Sequence, residues 1–194
     1  MRVVMRPLGI LGILTCIAAA GATAQGPHRR QGFWAGFGIG YGSANTSCDD
    51  CTSGPRVGGY TAWLKAGGTL NPSVRLGVLA DGWSHISSGV TETMGNLTAS
   101  VFLYPRASSG FFLTGGAGFS DYRVDTSPSI TGTGWGFTVG LGYDLRIGGE
   151  LSLTPVANYG WGGVGDLSYG DGGGFYTTGW KQNYLDFSLG LTFH

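Results

Sequence analysis

The sequence predicts an all-β fold: an eight-stranded antiparallel up-and-down barrel that crosses a membrane. Three observations predict it: a glycine-rich, charge-poor composition, eight segments that alternate with period two, and connections that alternate between short and long. Glycine supplies 39 of 194 residues and charged residues 11%, against a usual ~7% and ~25%. That much glycine would weaken helix interiors by up to ~1 kcal/mol per residue. It shows no three-residue period, which excludes collagen, and a 42% apolar content excludes a disordered tail. Lys and Arg only balance Asp and Glu, so no basic field supports nucleic-acid binding.

Residues 1–24 read as a cleaved signal peptide. Arg2 and Arg6 form a positive start, Leu8 to Ala20 an apolar core, and Ala22-Thr23-Ala24 a small–x–small cleavage site before Gln25. The apolar run is shorter than the ~18 residues of a spanning helix. Leu14-Thr15-Cys16 offers a lipoprotein alternative, but threonine before the cysteine fits that motif poorly. Without Arg2 and Arg6, nine basic residues face eleven acidic ones, a formal charge of −2. Residues 25–32 read as a periplasmic tail and 33–194 as the barrel.

The first strand is FWAGFGIGYG, residues 33–42. Phe33, Ala35, Phe37, Ile39 and Tyr41 share one face and four glycines the other. Strict alternation argues against a nucleotide loop, which needs a helix N-terminus behind its glycines. The second strand presents Tyr60, Ala62, Leu64 and Ala66; the third Val74, Leu76, Val78 and Ala80; the fourth Leu97, Ala99, Val101 and Leu103. The fifth presents Phe111, Leu113, Ala117 and Phe119, and the sixth Trp135, Phe137, Val139, Leu141 and Tyr143. The seventh presents Leu151, Leu153, Pro155, Ala157 and Tyr159, and the eighth Leu185, Phe187, Leu189, Leu191 and Phe193. Each is about ten residues, the length of a tilted strand crossing a bilayer core.

Residues 70–73, 105–109 and 146–149 read as short turns, whereas 43–56, 82–95, 121–132 and 162–182 read as long polar loops. Short turns at one end and long loops at the other describe an outer-membrane barrel with both termini on the periplasmic side. One face of every strand is hydrocarbon and aromatic. The other is mostly Gly, Ser, Thr and Asn, and it carries nearly all the strand charges. A narrow eight-stranded interior cannot hold eight rows of Leu, Phe and Trp, so the apolar face looks outward into lipid. Aromatics cluster near both strand ends, as at the two interfaces of a membrane.

The ATA-Q leader, the FWAGFGIGYG strand, the alternating strands and the closing YLDFSLGLTFH resemble the small outer-membrane β-barrel family, which includes the transmembrane domain of OmpA and the OmpX-like proteins. The resemblance covers the whole mature chain and implies fold and outer-membrane location. It also implies recognition of the last strand by the outer-membrane assembly machinery. The family usually ends that strand on an aromatic; here His194 follows Phe193.

Lys65, Arg75, Asp81, Asp144, Glu150 and Asp186 fall on the inward face or its rim. Such charges must be paired or hydrated, so they read as a polar network plugging the lumen. The alternative is a gate or narrow ion path, given room by the inward glycines. Cys48-Asp49-Asp50-Cys51 could bind zinc or exchange thiols. The chain has no second CxxC or histidine cluster, and an exported protein favours a disulfide. His85, Ser87 and Glu92 could form an esterase-like site. The His-x-Ser element resembles that of the lipid A deacylases, although it falls mid-chain rather than in the last part. Asn45-Thr46-Ser47 and Asn96-Leu97-Thr98 match the glycosylation pattern only by chance in a bacterial outer membrane.

The long loops carry Asp49, Asp50, Glu92, Asp121, Asp125, Asp166 and Asp171 against Arg56, Arg123 and Lys181. No dense calcium motif accompanies them. The expected contact surface is the 162–182 loop, with Trp161 at its base and Tyr169, Phe175, Tyr176 and Trp180 within it. The sequence therefore predicts a non-enzymatic integral outer-membrane protein with a structural or surface-interaction role through its loops. A lumen path is second, a lipid A-modifying enzyme third. The expected partners are outer-membrane lipid, lipopolysaccharide and the assembly machinery. No cofactor or nucleic acid is expected, and the sequence does not identify the surface partner.

Overall fold

Period-two alternation commits each strand to two environments at once, and closing the sheet on itself is the way to satisfy both. The computed structural model describes residues 31–51, 53–170 and 174–194. The 1–24 leader with Cys16, most of the 25–32 tail, and Asp171 lie outside the described residues.

The strands are β1 Phe33–Ser47, β2 Val57–Asn71, β3 Val74–Ser87, β4 Val90–Leu103, β5 Phe111–Val124, β6 Ile130–Tyr143, β7 Leu145–Arg146, β8 Leu151–Tyr169 and β9 Phe175–Phe193. β7 is a two-residue spur pairing Leu145 with Leu153 and Arg146 with Ser152. The other eight are the staves. Each pairs antiparallel with the next, β6 passes to β8, and β9 closes on β1 through Ala35–Phe193 to Ser47–Lys181. No sheet edge is left along the lipid-facing wall, which hydrocarbon demands.

The outward rows are those the alternation predicts. Ile39 is 74% exposed, Phe119 75% and Phe33 70%. On a protein in water such a surface would be an aggregation hazard; in a bilayer it is the lipid-facing belt.

Three of the four expected long loops are instead tall hairpins. β3 and β4 meet in a two-residue turn at Ser88 and Gly89, both at positive φ, the geometry that matches hairpin twist. β5 and β6 are joined by residues 125–129, and β8 and β9 each run 19 residues, β8 ending at Tyr169 and β9 beginning at Phe175. At ~3.3 Å per residue and a ~45° tilt, β8 and β9 span ~45 Å of height against an apolar band of ~25 Å. Their upper third therefore stands above the membrane. Residues 48–51 and 53–56 lie outside the strands.

Candidate functional site

The lumen is where the sequence places its charges, and aromatic rings fill most of it. Trp34, Trp63, Leu79, Phe102, Tyr104 and Phe112 pack into one buried cluster at the short-turn end. Ala44, Trp83, Met94, Tyr122, Val164, Leu167, Trp180 and Tyr184 pack into another under the extracellular tips. The inward glycines do not leave the open room expected of them. A Cβ on Gly38 or Gly190 would collide with the Trp63 ring, on Gly59 with Trp83, on Gly77 with Trp34, and on Gly160 with Tyr184. Each glycine is the flat wall against which a large ring lies. Trp34, Trp63 and Trp83 stand in the inward register of the sequence, but which glycine each ring meets is set by the pairing of neighbouring strands.

Around the lower cluster lies a charged floor. Lys65 Nζ sits 4.7 Å from the Phe112 ring centroid and 4.9 Å from that of Trp63, positions that attract a desolvated ammonium to the ring faces. The Arg75 guanidinium lies 5.3 Å from the Tyr104 ring and 5.6 Å from that of Trp34. Asp144 Oδ2 accepts from Tyr104 Oη at 2.8 Å and Oδ1 accepts from Thr154 Oγ1 at 3.0 Å. Glu150 is not part of this network. Its side chain is exposed in the 147–150 turn, where nothing draws it inward, and only its carbonyl participates, accepting from the His194 N–H at 2.9 Å.

His194 takes the place expected of Glu150. Arg75 Nη2 lies 2.8 Å from its Nδ1, and its Nε2 lies 2.8 Å from Ser152 Oγ. Arginine only donates, so Nδ1 accepts and Nε2–H donates to Ser152. This assigns a neutral ring. Burial pushes the His194 pKa down to about 4; Asp144 opposes the shift and Arg75 adds to it. Asp144, His194 and Ser152 resemble a hydrolase triad, but the roles are wrong. Asp144 lies nearest Nε2, at 4.0 Å, the nitrogen that already faces Ser152. In a working triad the carboxylate holds the opposite nitrogen and the ring accepts from serine.

A polar waist separates the two aromatic clusters. Asp81 Oδ1 accepts from Thr138 Oγ1 at 3.0 Å and Oδ2 accepts from Tyr184 Oη at 3.0 Å. Asn96 Nδ2 donates to the Phe137 carbonyl at 3.0 Å and to Thr138 Oγ1 at 3.2 Å. Asp186 accepts from Thr61, Ser188 and Asn158. The six inward or rim residues thus divide: Lys65, Arg75 and Asp144 in the floor, Asp81 and Asp186 in the waist, and Glu150 outside. Among the described residues, no three or more His, Cys, Asp or Glu side chains come together as a metal site.

The expected contact surface also divides. Trp161 lies on the outer wall, its ring 4.9 Å from Trp135 and stacked 5.6 Å from Phe137. Trp180 is buried in the upper cluster, 4.6 Å from Tyr122. Both residues continue strand alternation, which carries Trp161 outward and Trp180 inward. Tyr169, Phe175 and Tyr176 remain at the β8–β9 tip. Phe175 is 55% exposed and Tyr176 49%, and Tyr169 meets Tyr176 edge-on at 5.7 Å. Cys48 and Cys51 are joined in a disulfide. The turn they close lies against β9: the Asp49 N–H donates to the Thr178 carbonyl at 3.3 Å, and Thr177 Oγ1 donates to Cys48 Sγ at 3.4 Å. His85 Nδ1 is 2.9 Å from the Gly58 carbonyl and its ring stacks on Trp83, while Glu92 Oε1 accepts from Tyr122 Oη at 2.8 Å.

An antiparallel ring of eight staves, apolar outside and filled inside, with short turns below and tall hairpins above, is a small outer-membrane β-barrel. No protein-family model matches the chain, and no curated protein matches it in sequence. Among solved structures it is similar to Neisserial surface protein A, at 17% identity and a TM-score of 0.54, over 83% of this chain and 96% of that one. It is also similar to Ail, the attachment invasion locus protein of Yersinia pestis, at 14% identity and a TM-score of 0.52, over 84% of this chain and 99% of that one. At these identities the likeness is one of fold.

Proposed function

We propose that this outer-membrane barrel works as a surface-interaction protein whose active part is the crown of extracellular hairpins. One observation carries the reading: the lumen is packed at both ends, whereas Phe175 and Tyr176 stand exposed, beside the half-buried Tyr169, on a hairpin that rises above the lipid. Exposed aromatics on a stiff β-hairpin give large contact area at low entropic cost.

The charges around the tips favour an uncharged or cationic partner. Asp49, Asp50, Asp125 and Asp166 outnumber Arg56, Arg123 and Lys181. Two of these cations are already engaged: Arg123 by Asp125 at 2.6 Å, and Arg56 by Ser43 and Asn183. Ail has been seen in complex with the heparin analogue sucrose octasulfate; the acidic tips here suit such a polyanion poorly.

The reading is non-enzymatic. His85 and Glu92 are each held by other partners, and the His194 nitrogen that faces Ser152 donates rather than accepts, with Asp144 on that same side of the ring. Lipid and lipopolysaccharide surround the belt in this reading, and β9, ending on Leu191 and Phe193, is the strand offered to the assembly machinery.

The test is binding by bacteria displaying the protein to arrays of neutral, cationic and sulfated glycans and peptides. Wild-type cells should bind neutral or cationic members. A Tyr169→Ala/Phe175→Ala/Tyr176→Ala variant, folded and equally displayed, should lose that binding. Unchanged binding by the variant, or binding confined to sulfated members, would overturn the reading.

A further inference from the structure

The outer aromatic girdle is interrupted on one side of the barrel. Tyr41 and Tyr60 mark it on β1 and β2, and Phe119 and Trp135 on β5 and β6. On β3 and β4 the outward residues at that height are Ala80, Gly82 and Ser84, and Leu97, Gly95 and Thr93. The pairings Ala62–Gly82, Gly82–Gly95 and Gly95–Asp121 set these small residues side by side. The result is a groove of about 840 Å³ on the lipid-facing wall, floored by Ala62, Ala80, Gly82 and Gly95 and walled by Tyr60, Ile39, Leu64 and Leu97. Its volume falls within the ~300–1,000 Å³ of pockets that hold small ligands.

The groove is continuous with the lipid-facing belt, so what fills it comes from the bilayer. Its upper end is polar. Ser84 and Thr93 pair across β3 and β4 there, and the outward Asp121 carboxylate lies over Gly95, where a Cβ would approach its Oδ1. The nearby Arg123 is taken by Asp125. A carboxylate and two hydroxyls, set just above the girdle on the side of the tall hairpins, sit at the headgroup level of the outer leaflet. Carboxylates and hydroxyls are acceptors suited to sugar hydroxyl donors. Small residues let a chain approach the sheet closely, and in a membrane such packing and polar contacts drive association, because lipid itself is as apolar as the groove.

We propose that the gap in the girdle over β3 and β4 seats one outer-leaflet glycolipid, an acyl chain lying on Ala62, Ala80, Gly82 and Gly95 and its sugar headgroup donating to Asp121. A second copy of this chain fits less well, since two such concave floors facing one another would enclose a void.

The test is native mass spectrometry of the detergent-extracted protein, delipidated and then titrated with a neutral diglycosyl diacylglycerol, or with a phosphatidylcholine, whose headgroup donates no hydrogen bond. The wild-type protein should retain one glycolipid in preference to the phospholipid. Ala80→Leu fills the floor and should weaken retention at least about threefold, the scale of one lost membrane-phase contact. Asp121→Asn should narrow the preference for the glycolipid while leaving phospholipid retention unchanged. Ala66→Leu, outward on β2 but below the groove, should match the wild type and shows that an added leucine is tolerated. Equal retention by Ala80→Leu, equal retention of both lipids by the wild type, or a protein dimer in place of a lipid adduct would each overturn the proposal. None of these outcomes bears on binding at the hairpin tips.

Discussion

Trp63→Ala is the sharpest test of ring-on-glycine packing in the lumen. The indole is 3% exposed and lies between Gly38 and Gly190, where an added Cβ would come within 2.5 Å of ring carbon Cε2 at Gly38. Its Nε1 has no hydrogen-bond partner among the described residues, so the loss is one of volume and contact alone. Deleting a buried aromatic costs about 3–5 kcal/mol. Lys65, 4.9 Å from the ring, loses one of its three aromatic faces, a further ~0.5–2 kcal/mol. The assay is urea unfolding of the barrel in lipid vesicles, read by the gel-mobility difference between folded and unfolded forms. Gly38→Ala completes a cycle. In the wild type its methyl group collides with the ring and should cost about 1–3 kcal/mol. In Trp63→Ala the methyl enters a vacated space and should cost nothing, a coupling of about 1–3 kcal/mol. If Gly38→Ala costs the same in both backgrounds, the ring does not fill the lumen against that glycine.

Asp186→Ala leaves the Thr61, Ser188 and Asn158 donors without their acceptor and should lower stability by about 1–3 kcal/mol in the same assay; an unchanged midpoint would refute a structural waist. His194 titrates at about 4 in the folded barrel, below its usual 6.5, so between those values the unfolded chain binds more protons. Stability should therefore fall as pH drops from 6.5 towards 4 and be insensitive to this group above 7. His194→Gln should flatten that slope, and ¹⁵N NMR should find Nε2 protonated and Nδ1 bare. Reducing the Cys48–Cys51 bond should expose residues 48–56 to proteolysis while the barrel stays folded, as seen by an intact mobility shift. Protection of the reduced loop would mean that its contacts to Thr177 and Thr178 suffice alone.

The lipid-crossing part of the fold was legible because each stave meets hydrocarbon on one side. Ile39, Leu64, Phe119 and Leu189 repeat every second residue for that reason, and the pairing register follows. The signal fades where strands leave the membrane. Residues 162–169 and 175–182 are strand, but the pairing is bulged between Gly163 and Ser168, with Gly165 and Gly179 at positive φ, and water on one side and a packed mouth on the other permit Gly, Ser, Thr and Asp beside Trp180 and Leu167. They therefore read as loop. The floor was half legible: Lys65, Arg75 and Asp144 stand in the inward register, but their partner depends on which chain end folds under the barrel. Alternation alone could not select the His194 ring over the Glu150 carboxylate. The fate of the inward glycines was hidden because a glycine's partner lies on a neighbouring stave, and only register brings Trp63 against Gly38 and Gly190.

The most direct measurement is single-channel recording across planar bilayers with insertion verified independently. A lumen closed by the Trp63 and Trp83 clusters and the Asp81–Asp186 waist predicts a silent wild-type barrel. Discrete wild-type conductance steps that shift with Asp186→Asn would contradict it, and would make the lumen, rather than the hairpin crown, the working part of the protein.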